Sequence, residues 1–278
     1  MKKILVPTDF SDCAGMALRY AIYLAKKMGA EITLIHVCDL LDDNFHNLKQ
    51  IIREYNKEKI AELTAALEHL KARAEKDDVA ITTELYNGTI VDSILMASRE
   101  HHSDFIVMGT LGATGLKRLF FGTKAASVIN ESLIPVITIP YGYKKPALNK
   151  IVMAVTSSKP FSSILEPVVK LGKLYDAKLK AVVFSEESNK VKMIYHAKTA
   201  AHIKKRLEKL FPGNSMESVN ISGTGFHETI QEYVKKQKAD LLVMITHRRT
   251  FIQNLFKLSM TRKMAYHINI PLLSLKGK

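Results

Sequence analysis

Long apolar runs are missing from this chain. No stretch of about 18 apolar residues occurs among its 278 residues, so no membrane-spanning helix is expected. Cysteine is scarce, with only Cys13 and Cys38. Two separated cysteines argue for reduced thiols in a cytoplasmic protein and against a structural disulfide, and no Cys/His spacing resembles a metal site. The opening Met1-Lys2-Lys3-Ile4-Leu5-Val6 begins like a signal peptide, but Asp9 and Asp12 interrupt it; it reads as a first strand. Two familiar phosphate loops are also absent from the chain's main glycine cluster. The Walker pattern needs Gly-Lys-Ser/Thr, whereas the order here is Gly122-Thr123-Lys124, and Gly-x-Gly-x-x-Gly does not occur there.

What is present is a chain longer than one typical domain, 47% hydrophobic, with ample material for a core. Its formal charge of +14 is unevenly placed. Residues 1–147 hold 18 Lys+Arg and 18 Asp+Glu, whereas residues 148–278 hold 23 and 9. The whole excess sits in the second half.

Taken in order, Lys3–Pro7 is a short apolar strand with Thr8 and Asp9 at its end. Ser11 is placed to cap a helix carrying Ala14, Leu18, Ala21, Ile22 and Ala25 at helical spacing, which Gly29 ends. Glu31–Val37 is a second strand. Leu48–Lys76 is a long helix whose Glu/Lys pairs suit a solvated face. Val79–Tyr86 is a third strand, and Thr89 with Asp92 predicts a capping box for a helix reaching about His101. Asp104–Met108 and Pro135–Pro140 complete five strands. Strands separated by helices predict a parallel, doubly wound sheet, with ligands at the strands' C-terminal ends where the winding reverses.

The stretch Gly109-Thr-Leu-Gly112-Ala-Thr-Gly115-Leu-Lys117-Arg118-Leu-Phe-Phe-Gly122-Thr123 lies between the fourth strand and a helix beginning near Lys124. Glycines let backbone N–H groups approach anion oxygens, and a helix N-terminus adds unpaired donors and a positive dipole end. Thr123 adds a hydroxyl. If the first and fourth strands are neighbours, the Asp9 carboxylate faces the same crevice. The competing role for Asp9 is to cap the helix beside Ser11.

After a linker at Tyr141–Ala147 the pattern restarts. Lys150-Ile-Val-Met matches Lys3-Ile-Leu-Val, Ala239-Asp-Leu-Leu-Val-Met244 matches Ser103-Asp-Phe-Ile-Val-Met108, and Ile270-Pro-Leu matches Ile134-Pro-Val. In that register Asp9 becomes Thr156, Gly109 becomes Ile245, Gly112 becomes Arg248, Gly122 becomes Leu258, and Thr123 becomes Ser259. Side chains at the glycine positions predict a second half that has lost the anion loop. Pro167 predicts a kinked or late-starting helix there.

The spacing Gly109, Gly112, Gly122, Thr123 after a strand ending in Val-Met resembles the nucleotide loop of the universal stress protein family. The opening Lys-Ile-Leu-Val-Pro-Thr-Asp9-Phe-Ser11 and Leu34-Ile-His-Val37 match that family's pattern too. The resemblance implies two tandem doubly wound α/β domains, at 1–143 and 148–278. Each would be a five-stranded parallel sheet with helices on both faces, of the adenine nucleotide alpha hydrolase-like type. It implies ATP as the ligand, with Mg²⁺ as its possible companion. Pro7, Thr8 and Asp9 would lie at the ribose, and backbone at Val37 at the adenine. Met108, Gly109, Gly112, Gly122, Thr123 and Lys124 would hold the phosphates. It implies pairing through the last strands, Ile134–Ile139 and Ile268–Leu273, so that the two halves imitate a symmetric dimer. A further homodimer and a protein partner stay open.

The resulting expectation is a cytoplasmic, nucleotide-responsive stress or signalling module with binding in the first half. Two alternatives stand beside it. One is a slow ATP-hydrolysing enzyme, weakened by the lack of an evident base. The other is an anion or nucleic-acid module using His247-Arg248-Arg249 and the lysines of the second half. Solvated helix faces explain those lysines more simply.

Overall fold

The computed structural model describes residues 2–42, 48–74, 78–110, 122–144, 146–155, 164–186, 216–223, 225–246 and 269–276, with scattered positions between 198 and 209. The first half contains β1 (Lys2–Pro7), α1 (Asp12–Met28), β2 (Ala30–Cys38), α2 (Lys49–Ala74), β3 (Ile81–Asn87), α3 (Ile90–Glu100), β4 (Phe105–Gly109), α4 (Thr123–Glu131) and β5 (Val136–Ile139). The second contains β6 (Lys150–Val155), α5 (Glu166–Tyr175), β7 (Lys178–Glu186), β8 (Met216–Gly223), α6 (Phe226–Gln237), β9 (Leu241–Thr246) and β10 (Leu272–Lys276).

Alternation along the strands sets two layers. Ile4 and Val6 join a core beneath α1 and α2, while Leu5 joins another with Ile94 of α3 and Val128 of α4. Helices therefore cover both faces, and one sheet of ten strands runs β3-β2-β1-β4-β5-β10-β9-β6-β7-β8. Each half contributes five parallel strands, and the halves meet where β5 and β10 pair antiparallel. The α1/α2 core does not stop at that seam. It continues through Ile137 and Leu273, which are register partners, to Val168 and Leu171 of α5.

Local chemistry fixes the elements. Ser11 Oγ accepts from the Ala14 N–H at 3.2 Å, and Gly29 closes α1 in the left-handed region at φ 59°. The C-caps of α5 and α6 take the same conformation without glycine, at Asp176 (φ 49°) and Lys238 (φ 52°). Helix α2 buries only Ile52, Leu67 and Ala74, which fits its solvated face. Helix α5 begins at Glu166 with Pro167 in its first turn, where the missing N–H is harmless. That is the late start that Pro167 predicts.

Several details differ from the sequence reading: β4 spans Phe105–Gly109 rather than Asp104–Met108, and β5 spans Val136–Ile139 rather than Pro135–Pro140. Strand β3 spans Ile81–Asn87 rather than Val79–Tyr86. The last strand of the second half is Leu272–Lys276 rather than Ile268–Leu273. Pro271 cannot donate to a ladder; instead its carbonyl accepts from Leu242 N–H at 3.0 Å, as Pro135 accepts from Ile106 N–H at 3.0 Å in the first half. The capping box at α3 does not form, because the Thr89 hydroxyl donates to the Asp92 carboxylate instead of accepting a backbone N–H.

One repeated device had no role in the sequence reading. Asp104 accepts from Lys3 N–H at 2.9 Å, and Asp240 accepts from Lys150 N–H at 2.9 Å. Each aspartate ties the start of the fourth strand of its half to the start of the first.

Candidate functional site

Strand β1 lies between β2 and β4, with Ile4 beside Phe105 and Leu5 beside Ile106. This is where the winding reverses, so the C-terminal ends of β1, β2 and β4 border one crevice. The condition set by the sequence, that the first and fourth strands be neighbours, is met.

The turn out of β1 is built by two side chains acting on backbone two residues ahead. Thr8 Oγ1 accepts from Phe10 N–H at 3.1 Å, and Asp9 Oδ1 accepts from Ser11 N–H at 3.1 Å. Ser11 Oγ also donates to Asp9 Oδ1 at 2.5 Å. Asp9 thus shapes the turn ahead of α1, while Ser11 rather than Asp9 is the residue that caps the helix. Asp9 is half-buried, and the two bonds from Ser11 orient its carboxylate. Thr8 is buried, with its N–H bonded to Ile35 O at 2.8 Å.

Phe10 and His36 belong to the same turn, and sequence reasoning gave neither a role. Phe10 sits at φ 62°, a left-handed conformation unusual for a bulky residue. Its ring lies 4.6 Å from that of His36. His36 Nδ1 is 2.8 Å from Thr8 O. A carbonyl only accepts, so the proton is on Nδ1. The signal for this pair was faint, since an aromatic three residues after a strand end has many uses.

The far side of the crevice is the junction of β4 and α4. Thr110 is buried, and its N–H bonds Ile139 O at 3.0 Å. Gly122 N–H in turn donates to Thr110 O at 2.5 Å. That one bond draws the two ends of the glycine stretch together, and α4 starts directly at the end of β4. Gly122 is the N-cap of α4 and supplies no side-chain cap, while Thr123 and Lys124 are exposed on its first turn. The helix N-terminus thus presents backbone donors that no side chain of the described residues caps, next to a hydroxyl and an ammonium.

Gly109 is shaped by packing as well. A Cβ there would lie 2.9 Å from Cys13 Sγ, 3.0 Å from the Cys13 carbonyl carbon and 3.1 Å from its oxygen. The first turn of α1 presses on the end of β4, and Cys13 Sγ reaches Ile139 O at 3.6 Å. Both thiols, Cys13 and Cys38, are free and buried near these strand ends. In the second half Ile245 stands at this position, buried in the core on the same face.

The structure brings together Pro7, Thr8, Asp9, Gly109, Gly122, Thr123 and Lys124. Val37 lies at the end of β2, opposite Tyr86 of β3 and one residue before the strand ends. The Met108 side chain points away into the core with α3 and α4, leaving only its backbone for the crevice. Gly112, Gly115, Lys117 and Arg118 lie outside the described residues, as do Thr156, His247, Arg248, Arg249, Leu258 and Ser259. No described helix is long and apolar enough to cross a membrane.

Comparison with known proteins agrees with this architecture. The sequence model of the universal stress protein family matches residues 1–140 and again residues 148–276. Universal stress protein MJ0531 of Methanocaldococcus jannaschii is 34% identical over 152 residues, covering 52% of this chain and 83% of its own. Universal stress protein Slr1230 of Synechocystis is 24% identical over 295 residues, covering 99% of this chain and 100% of its own. A solved universal stress protein from Archaeoglobus fulgidus superposes with a TM-score of 0.70 at 19% identity, covering 99% of this chain and 98% of that one. At that identity the likeness concerns the fold.

Proposed function

The chain belongs to the universal stress protein family, and from that membership we propose that its first half, residues 1–143, binds ATP and uses it as a signal. The observation that carries the reading is the bond from Gly122 N–H to Thr110 O. It seats the start of α4 at the end of β4, beside the β1 strand end that bears Asp9. An anion-favouring helix start and a carboxylate are thereby offered to one ligand at a strand-order reversal.

In this reading the phosphates sit at the backbone of Gly109, Gly112 and Gly122, with the Thr123 hydroxyl and the Lys124 ammonium assisting. Asp9, held in place by Ser11, accepts from ribose hydroxyls. Backbone at the end of β2, around Val37, meets the adenine. ATP supplies a polyanion and an aromatic base, and the site answers each with a different group. Residues 148–278 form a second unit that does not bind ATP in this way, since Ile245 replaces Gly109 and the register puts Arg248 and Leu258 at the other glycines. Binding alone can shift the molecule between states or partners, provided the two states differ in affinity. The setting we assign is the cytoplasm.

Calorimetric titration of ATP with Mg²⁺ into the whole chain, Asp9→Ala and Gly122→Leu tests this. One site per chain, weakened in the first variant and lost in the second, is the expected result. Two sites per chain would overturn the silent second half. No binding to a folded chain would overturn the ATP reading.

A further inference from the structure

The second half carries the chain's whole positive excess, and part of it gathers at the strand starts of that half. Strand β6 opens with Lys150 and β7 with Lys178, which are register partners. Lys178 N–H donates to Asn149 O at 2.8 Å, so the two starts are tied together. Helix α6 ends beside them with Lys235, Lys236 and the left-handed cap Lys238. Lys150 Nζ donates to Gln237 O at 3.3 Å and joins the end of α6 to β6. All five lysines are exposed.

The first half provides a comparison on the same framework. Its equivalent positions are Lys3, Glu31, Arg99, Glu100 and His102. Lys3 and Glu31 are register partners, and His102 takes the left-handed turn before Asp104 as Lys238 does before Asp240. There Lys3 and Arg99 offset Glu31 and Glu100, and His102 is neutral in the formal count, whereas every counterpart in the second half is a lysine. A solvated helix face accounts for Lys235 and Lys236, but not for lysines arriving from two strand starts and a helix cap. Nearby carboxylates do not cancel the charge. Asp240 accepts N–H groups of Asn149 and Lys150 at 2.8 and 2.9 Å, and Glu217 pairs with Lys180 at 2.6 Å. Asp176 and Glu232 stand at the margin, and the lysines outnumber them.

The partner follows from what accompanies the charge. Among the described residues the exposed large apolar side chains run from Phe10 to Tyr141, and none belongs to the second half. Docking on a bilayer needs an apolar anchor beside the basic residues, and a protein interface is built round an apolar centre. Single-stranded nucleic acid is held by aromatic faces on which its bases stack. Ammonium groups alone suit the closely spaced phosphates of a duplex, which bind lysine without any base contact. We propose that this lysine face binds double-stranded nucleic acid through its phosphates, without regard to sequence. These residues all lie outside the first half, so the site stands or falls apart from the ATP reading.

The test follows the fluorescence anisotropy of a labelled DNA duplex of about 20 base pairs as the full chain is added, without ATP, at salt from about 50 to 200 mM. Saturable binding is expected, with log affinity falling against log salt at a slope of about −4, as for four or five neutralised phosphates. The triple variant Lys178→Gln, Lys236→Gln, Lys238→Gln is expected to flatten that slope by about 3 and to weaken binding about tenfold or more. A second triple, Lys27→Gln, Lys57→Gln, Lys144→Gln, removes the same charge from exposed positions of the first half. It is expected to bind within about twofold of the parent, because only lysines at the phosphates release counterions. Equal losses in the two triples overturn the patch in favour of the overall charge. Matching or tighter binding of a single strand of the same length, of polyglutamate or of phosphatidylserine vesicles overturns the duplex as partner. Anisotropy that never saturates at the lowest salt overturns the site.

Discussion

A methyl group at Gly109 would meet the Cys13 backbone at 3.0 Å and its sulfur at 2.9 Å. Gly109→Ala therefore has to push the first turn of α1 off the end of β4. The expected cost is about 1–3 kcal/mol, seen as a lower urea midpoint with no nucleotide present. An unchanged midpoint would mean that α1 gives way freely and that the glycine serves the ligand alone. Lys238 offers the reverse case. It is exposed, caps α6 at φ 52°, and carries a side chain where glycine is favoured. Lys238→Gly is expected to raise stability by about 0.5–1 kcal/mol in the same assay, and a loss would show that the lysine stem packs usefully there.

Among the elements, what was legible followed from local rules. Ser11 and Gly29 announce the ends of α1, and Pro167 announces the first turn of α5, because caps and proline act within a few residues. The turn at Thr8–Ser11 was half legible. Asp9 was marked as both cap and ligand residue, but the stack of Phe10 on His36 joins residues from different strand ends and leaves no local pattern. The two aspartate ties escaped for a related reason. Asp104 and Asp240 stood in the repeat alignment, yet their partners lie 101 and 90 residues away in the chain. The β5–β10 seam supplies a test at this scale. Ile137 is fully buried, pairs with Leu273, and shares its core with α5. Ile137→Ala is expected to cost about 2–5 kcal/mol and to lower both halves together as one transition. Calorimetry that resolved two separate transitions, only one of them shifted, would contradict a core continuous across the seam.

For the molecule as a whole, tyrosines mark the join. Tyr20 and Tyr23 of α1 meet Tyr143 of the linking segment and Tyr175 of α5, with ring centroids 5.3 Å apart for Tyr23 and Tyr175. The Tyr175 hydroxyl donates to Tyr23 O at 3.2 Å. Burial raises all four phenols above the ordinary value of 10.0, carrying Tyr143 to about 12. A raised phenol stays neutral in the folded state after the unfolded chain has begun to ionise. The unfolded state then binds fewer protons, so stability is intact below pH 10 and falls as pH climbs from 10 towards 12. Urea midpoints at pH 9 and pH 11, with absorbance following tyrosinate, check this; Tyr175→Phe should flatten the fall. The linking segment between the halves has one more effect. Two separate chains joined by their last strands would come apart on dilution, whereas a tether of about ten residues holds the partner strand at an effective concentration near millimolar whatever the protein level. Because the two faces of the join are encoded at different places in one chain, each can change without changing its counterpart. A pair of identical subunits cannot keep glycine at one copy of a position and isoleucine at the other; this chain does so at Gly109 and Ile245.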